Sequence, residues 1–205
     1  MMGCSMHLGR HKRDWCSLTE PYLLGYRSKF SLFDLGQTTF YISRACNFIR
    51  SCARIKKSGF FYGLIYPYYR KEIFQLVRMN QIVSVRSWMG GFITNMKTFK
   101  KHIGNYKKIP AYVVAFSLDK DNYSIIRETS RLKLPLVSPV DSNSDPRNLM
   151  YPIPSNSSNY SSKEVYAHIF KRSIYFGLVD AIRGFKKKKR KSISRFRSNY
   201  GRRWN

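Results

Sequence analysis

The sequence predicts an α/β fold, a parallel sheet between two helical layers, on three observations. An unbroken apolar run at 60–66 and largely apolar segments of strand length at 111–117 and 135–140 mark strands of a covered sheet. Between them lie stretches whose apolar residues recur three or four apart, the period of a helix with one buried face. Strand and helix alternate along the chain, which demands parallel strands joined by right-handed crossovers.

In chain order, residues 30–35 form a first extended piece. A helix follows over 37–57, with Thr38, Ile42, Ala45, Ile49 and Cys52 on its inward face, and Ser58-Gly59 ends it. The 60–66 strand leads to a helix over 69–80 with Ile73, Leu76 and Val77 inward, then a short strand at 82–85. A Gly90-Gly91 turn opens a helix near Thr94-Asn95. The 111–117 strand, a helix over 121–132 and the 135–140 strand follow. A polar loop rich in Ser, Asn and Pro spans 142–159, and a last helix runs from 161 to about 183. The arrangement is a three-layer flavodoxin-like or Rossmann-like sandwich.

Charge dominates the composition. The 205 residues carry 38 Lys+Arg against 11 Asp+Glu, a net +27 with His neutral. Residues 185–205 hold ten of the basic side chains and no acid, so 28 against 11, or +17, remain on residues 1–184. We divide the chain there into a folded domain with a basic N-terminal arm, 1–184, and a Lys/Arg-rich tail, 185–205. Such an excess repels itself unless a polyanion neutralises it, and nucleic acid is the natural partner. Hydrophobic residues make up 43% of the chain, which excludes a disordered basic tail protein. Apolar runs fall short of the roughly 18 residues of a membrane span. The four cysteines (Cys4, Cys16, Cys46, Cys52) form no C-x-x-C pair, as suits a reducing compartment.

Motifs for catalysis are sparse. Neither G-x-G-x-x-G nor a Walker sequence occurs. Gly90-Gly91 before Thr94-Asn95 offers backbone N–H groups to an anion such as an RNA phosphate, or is a plain turn and helix cap. Asp141 and Asp145 flank Asn143 as a metal or acid–base pair, or as Asx turns that fix the loop. Cys4, His7, His11 and Cys16 are all ligand types in a C-x2-H-x3-H-x4-C run, a weak zinc candidate set against a basic arm. Basic and aromatic residues interleave throughout. We single out Arg10, Lys12, Arg13, Arg27, Lys29, Arg86, Trp88, Thr94, Asn95, Lys97, Lys100, Lys101, Lys186, Lys187, Lys188, Lys189, Arg190 and Lys191 as candidate RNA contacts. Trp88, beside two glycines, serves equally as core packing.

Three long pieces, in order, resemble one family, the bacterial-type small-subunit ribosomal protein S2 family. The opening His7-Leu8-Gly9-Arg10 with Trp15, Pro21-Tyr22, Gly25-Tyr26-Arg27 and Phe33-Asp34-Leu35 looks like its N-terminal segment. Ser87-Trp88-Met89-Gly90-Gly91-Phe92-Ile93-Thr94-Asn95 is similar to its Arg-Trp-Leu-Gly-Gly-x-Leu-Thr-Asn signature. Val140-Asp141-Ser142-Asn143-Ser144-Asp145-Pro146 and Ile153-Pro154-Ser155-Asn156 look like its Val-Asp-Thr-Asn-x-Asp-Pro and Ile-Pro-Gly-Asn elements. The departures are Ser87 for Arg, Arg10 for a second histidine, Ile65-Tyr66-Pro67 for Gly-Thr-Lys, and a basic tail for an acidic extension. The helical hairpin that bacterial members carry after the Thr-Asn helix is missing, with only residues 98–110 bridging the gap.

The resemblance implies a flavodoxin-like sheet without a cofactor and a protein that is not an enzyme. It implies a structural constituent of the small subunit, docked on small-subunit rRNA at the head–body junction, beside neighbouring ribosomal proteins and with mRNA nearby. Neither a membrane nor a homo-oligomer is implied. Divergence and basicity point to a mitochondrial member sooner than a plastid one. The match begins at His7, which leaves no room for a cleavable presequence. Two other functions fit the composition: a cofactor-dependent α/β enzyme with a basic surface, and an RNA-binding regulator outside the ribosome.

Overall fold

The computed structural model describes residues 1–65, 67–84, 88–95, 109–118 and 123–201, excluding the side chains of 123 and 187–201. Among these, eight strands and four α-helices are formed. The strands are β1 (Leu8–His11), β2 (Leu23–Arg27), β3 (Phe30–Phe33), β4 (Gly59–Tyr62), β5 (Ile82–Ser84), β6 (Tyr112–Ala115), β7 (Leu136–Val140) and β8 (Tyr151–Pro154). The helices are α1 (Leu35–Arg54), α2 (Arg70–Arg78), α3 (Tyr123–Arg131) and α4 (Tyr160–Gly201).

β4 to β8 make a five-stranded sheet in the order β5-β4-β6-β7-β8, parallel at every pairing. This is the doubly wound order 2-1-3-4-5 of flavodoxin-like folds, as the alternation of elements requires. Alternate residues serve opposite faces. Phe61, Val114, Val137 and Ile153 meet α1, α2 and α4 in one core. Phe60, Tyr62, Val113, Ala115, Leu136 and Val140 meet Ile125 and Ile126 of α3 and the 88–93 turn in the other. Two covered faces explain why the strands read as largely apolar runs.

Helix α1 begins two residues earlier than expected because the Asp34 carboxylate accepts the Gly36 N–H at 2.8 Å. Thr38, Ile42, Ala45 and Ile49 are buried as the period predicts, and Ala53 takes the place expected of Cys52. In α2 the phase differs from the expectation. Leu76 is buried, but Val77 is exposed, and Glu72 turns inward instead. Apolar content alone set the expected phase, and it misplaced a carboxylate.

Three larger corrections concern the ends and the polar loop. The N-terminal residues are no loose arm. β1, β3 and β2 form an antiparallel sheet, and Met6 is fully buried in the main core. The 142–159 loop contains β8, whose Pro152 and Pro154 obscure it in sequence; as an edge strand it tolerates their missing N–H groups. The last helix does not stop near 183. It continues as one rod of 42 residues to Gly201, about 60 Å at 1.5 Å per residue. Lysine and arginine are good helix formers, and Gly184 alone does not stop the rod.

α1 and α4 cross at Gly177, where an added Cβ would lie 2.4 Å from the Arg50 carbonyl oxygen and 2.6 Å from Ala53 Cβ. Gly177→Ala is therefore expected to destabilise the fold by about 2 kcal/mol, since overpacking against backbone outweighs the gain in helix propensity. Urea denaturation of the variant checks this; an unchanged or raised midpoint would contradict the close crossing.

Candidate nucleic-acid interface

The two-residue turn between β2 and β3 presents a basic and aromatic tip. Arg27 pairs with Phe30 across the hairpin, and Ser28 takes the left-handed φ of 57° that the reversal needs. The Lys12 N–H donates to the Lys29 carbonyl at 2.8 Å, which brings the 3-10 turn at Lys12–Asp14 to the same end. Lys12, Arg13, Arg27 and Lys29 are thereby gathered, all exposed. Tyr26 and Phe30 stand among them, 42% and 50% exposed. Lys12 Nζ lies 5.0 Å from the Tyr26 ring centroid, and His11 meets Phe30 edge-on. Cations beside open ring faces can neutralise phosphates and stack unpaired bases.

The Gly90-Gly91 turn does something else. The Gly91 N–H donates to Glu128 Oε1 at 2.7 Å, and the Ile93 and Thr94 N–H groups donate to Oε2 at 2.9 and 3.1 Å. The Trp88 indole N–H adds a bond to Oε1 at 3.1 Å, and the Thr94 hydroxyl reaches Oε2 at 3.4 Å. The cradle, which the sequence leaves open as a phosphate contact or a plain turn and cap, is closed by the chain's own carboxylate, which α3 holds 6% exposed. The Trp88 ring packs against Phe60, Tyr62 and Phe92, and so belongs to the core. Thr94 and Asn95 are exposed, with the Thr94 donors committed to Glu128 and the Asn95 N–H to the Gly91 carbonyl. Glu128 was legible only as an acid three residues past Ile125 on the inward face.

Arg10 is exposed but tied to the body. Its Nε lies 3.3 Å from Asp141 Oδ2, and Nη2 donates to the Ser158 hydroxyl. Its N–H donates to Ser142 Oγ at 2.8 Å, so the N-terminal sheet is tied to the carboxyl end of β7. Asp141 also accepts the Ser142 N–H at 2.8 Å, and Asp145 accepts the Arg147 N–H at 2.9 Å. The Asp145 bond, to the N–H two residues on, is the Asx turn of the structural reading, whereas Asp141 holds the N–H of its immediate neighbour.

Burial pushes the Asp141 carboxyl above its ordinary value, against the opposing pull of the Ser142 N–H and Arg10. A folded-state value above the unfolded one means that the native state takes up the proton first. The contribution of the group to stability therefore grows as pH falls towards about 4, and is lost as pH rises through the folded value. Wild type should gain stability relative to Asp141→Asn between about pH 7 and pH 4. Urea midpoints of both proteins across that range check this, and a constant difference would count against it.

The remaining candidates divide. Arg86, Lys97, Lys100 and Lys101 lie outside the described residues. Lys186 is exposed on α4, and the backbone of Lys187, Lys188, Lys189, Arg190 and Lys191 continues the same helix. Cys4, His7, His11 and Cys16 do not converge: no three of them bring ligand atoms within 4.8 Å of one another. The Cys4 carbonyl instead accepts from Asn159 and Ser162, and the His11 ring accepts the Arg13 N–H at 3.4 Å. Burial raises the Cys46 and Cys52 thiols above their ordinary value, as befits core sulfurs. Among the described residues no helix is long and apolar enough to cross a membrane.

Known proteins are similar to this sequence. The chain is 24% identical to the small ribosomal subunit protein uS2 of Rhodospirillum centenum, covering 87% of this chain and 83% of that protein. It is 24% identical to uS2c of Euglena gracilis, covering 89% and 92%. It is 22% identical to uS2 of Helicobacter acinonychis, covering 86% and 88%. A sequence model described as Ribosomal protein S2 matches residues 1–112 and 101–177. The two stretches meet at 101–112, where the helical hairpin is expected to be missing. With both matches together spanning most of the chain, and with the parallel 2-1-3-4-5 sheet, this protein belongs to the ribosomal protein S2 family.

Proposed function

We propose that the chain is a structural constituent of the small subunit of an organellar ribosome, the mitochondrial one, and that it binds small-subunit rRNA at the head–body junction. The family is structural and not enzymatic. The observation that carries the RNA reading is the charge left on the folded body, +17 without residues 185–205. A surface of that sign repels itself, and phosphate is the partner that neutralises it. The exposed tip at Lys12, Arg13, Arg27 and Lys29, with Tyr26 and Phe30 open beside it, supports a docking face. The basic tail, the missing hairpin and the divergence from bacterial relatives support the organellar assignment. Neighbouring small-subunit proteins, with mRNA nearby, complete the proposed surroundings. They take contacts that bacterial relatives would give to the hairpin.

Sedimentation tests the reading. The tagged chain should travel with the small subunit of the organellar fraction on a sucrose gradient; recovery at the top would sink the ribosomal assignment. Binding of the purified chain to small-subunit rRNA should weaken with salt by about 0.7 to 0.9 log units per log unit of salt for each phosphate engaged. Replacing Lys12, Arg27 and Lys29 together by Ser should lower that slope by about 2 while leaving the fold intact. Unchanged slope would place the contact elsewhere on the surface.

A further inference from the structure

We propose that Glu72, Glu164 and His168 form a binding site for a divalent transition-metal ion of the zinc class, pinning the start of α2 to the first turns of α4. The three residues bring their ligand atoms within 4.8 Å of one another. Glu164 and His168 stand four apart on α4, which puts both on one face of the helix. Glu72 comes from the first turn of α2, on its inward phase. His168 Nε2 already lies 3.6 Å from Glu72 Oε1. Ligands about 2.0–2.1 Å from a tetrahedral ion sit roughly 3.3–3.5 Å apart, so small side-chain shifts complete the set.

A second observation points to a cation as the partner of these groups. The Glu72 side chain is only 9% exposed, yet among the described residues its one ion-pair partner is the His168 imidazole, and no lysine or arginine lies within 4.0 Å of its carboxylate. In a chain with 38 basic side chains, this is unexpected. Asp141, Asp145 and Asp180 each take an arginine, and Glu128 takes three backbone N–H groups. Two carboxylates are instead left together, one buried, with an imidazole nitrogen facing them. Lys171 Nζ lies 3.2 Å from His168 Nδ1 and reaches Gln75 Oε1 at 2.5 Å, so Nε2 is the nitrogen turned to the carboxylates. One nitrogen and two oxygens, with an open side for water, suit zinc better than calcium or magnesium, which take all-oxygen sets. The donors come from two helices, so the ion would act as a staple and not as a catalyst.

The test uses the full chain freed of RNA by salt and of metal by chelator, then dialysed against Co2+. One equivalent should bind, with the visible absorption of a four-coordinate nitrogen–oxygen site, and Zn2+ should displace it. Zn2+ should raise the thermal midpoint of the wild type by about 5 °C at saturating excess. His168→Asn and Glu164→Gln change exposed side chains and should each weaken binding at least roughly tenfold, with the far-UV spectrum unchanged. Cys16→Ser should leave binding intact, which separates this site from the N-terminal cysteines and histidines. No bound equivalent, binding retained in both α4 variants, or binding lost with Cys16→Ser would each overturn the proposal.

Discussion

Glu128→Ala is expected to lower the unfolding free energy by about 4 kcal/mol, from donors left unpaired at about 1–3 kcal/mol each and partly offset by water. The donors are the N–H groups of Gly91, Ile93 and Thr94 and the indole of Trp88. Ile93 is only 2% exposed, so at least that N–H cannot turn to bulk water. Glu128→Gln keeps the shape but places an NH2 group against N–H donors, and should cost about half as much. Urea denaturation followed by Trp88 emission, in a background with Trp15 and Trp204 replaced by Phe, reads both effects. Trp88 leaves its contact with Phe60 and Phe92 when the turn opens, so its emission should shift to longer wavelength before global unfolding. Added formate should restore part of the stability of Glu128→Ala and none to the wild type, because the vacated N–H cradle is an anion site. A loss below about 1 kcal/mol would show that the carboxylate does not organise the turn.

This carboxylate also shows where the sequence could be read and where it could not. The N–H cradle was legible from Gly90-Gly91 and the following Thr94-Asn95, and the anion inside it was not. In sequence Glu128 lies 34 residues beyond Thr94, and only the sheet brings the two together. The central strands were legible because both faces are covered, which concentrates apolar residues in short runs. β8 was not, because two prolines and a polar surround hide an edge strand that borrows its hydrogen bonds from β7. The α2 phase failed for a different reason. Val77 is as apolar as Ile73, and periodicity cannot tell which of two neighbouring faces meets α4 until α4 is in place. That error concealed Glu72, one of the three residues of the proposed metal site. The N-terminal sheet escaped because β1 owes its position to distant partners. Arg10 meets Asp141 and Ser142, while the Asn156 N–H donates to the Met6 carbonyl at 3.1 Å.

Replacing Lys186 through Lys191 by glutamine should weaken rRNA binding by about a thousandfold near physiological salt and reduce the salt slope by about 4 to 5, if all six side chains face phosphate. Glutamine keeps the helix propensity of the segment, so the far-UV spectrum and the urea midpoint should stay unchanged. The loss should be the same on any RNA of the same length, since phosphate contacts carry no base information. The fold adds something that composition could not. The basic run lies on the continuation of α4, whose earlier turns bury Tyr166, Phe170 and Ile174 in the main core. The backbone that carries it is therefore continuous with the folded body and is not a free chain. Gly184→Pro separates aim from charge. It keeps every cation but removes a helical hydrogen bond and breaks the rod. The preorganisation lost should cost on the order of tenfold in affinity with the salt slope nearly intact. Equal affinity in Gly184→Pro and wild type would show that the run works as a loose polycation. A loss in Gly184→Pro as deep as in the glutamine series would show that direction matters as much as charge.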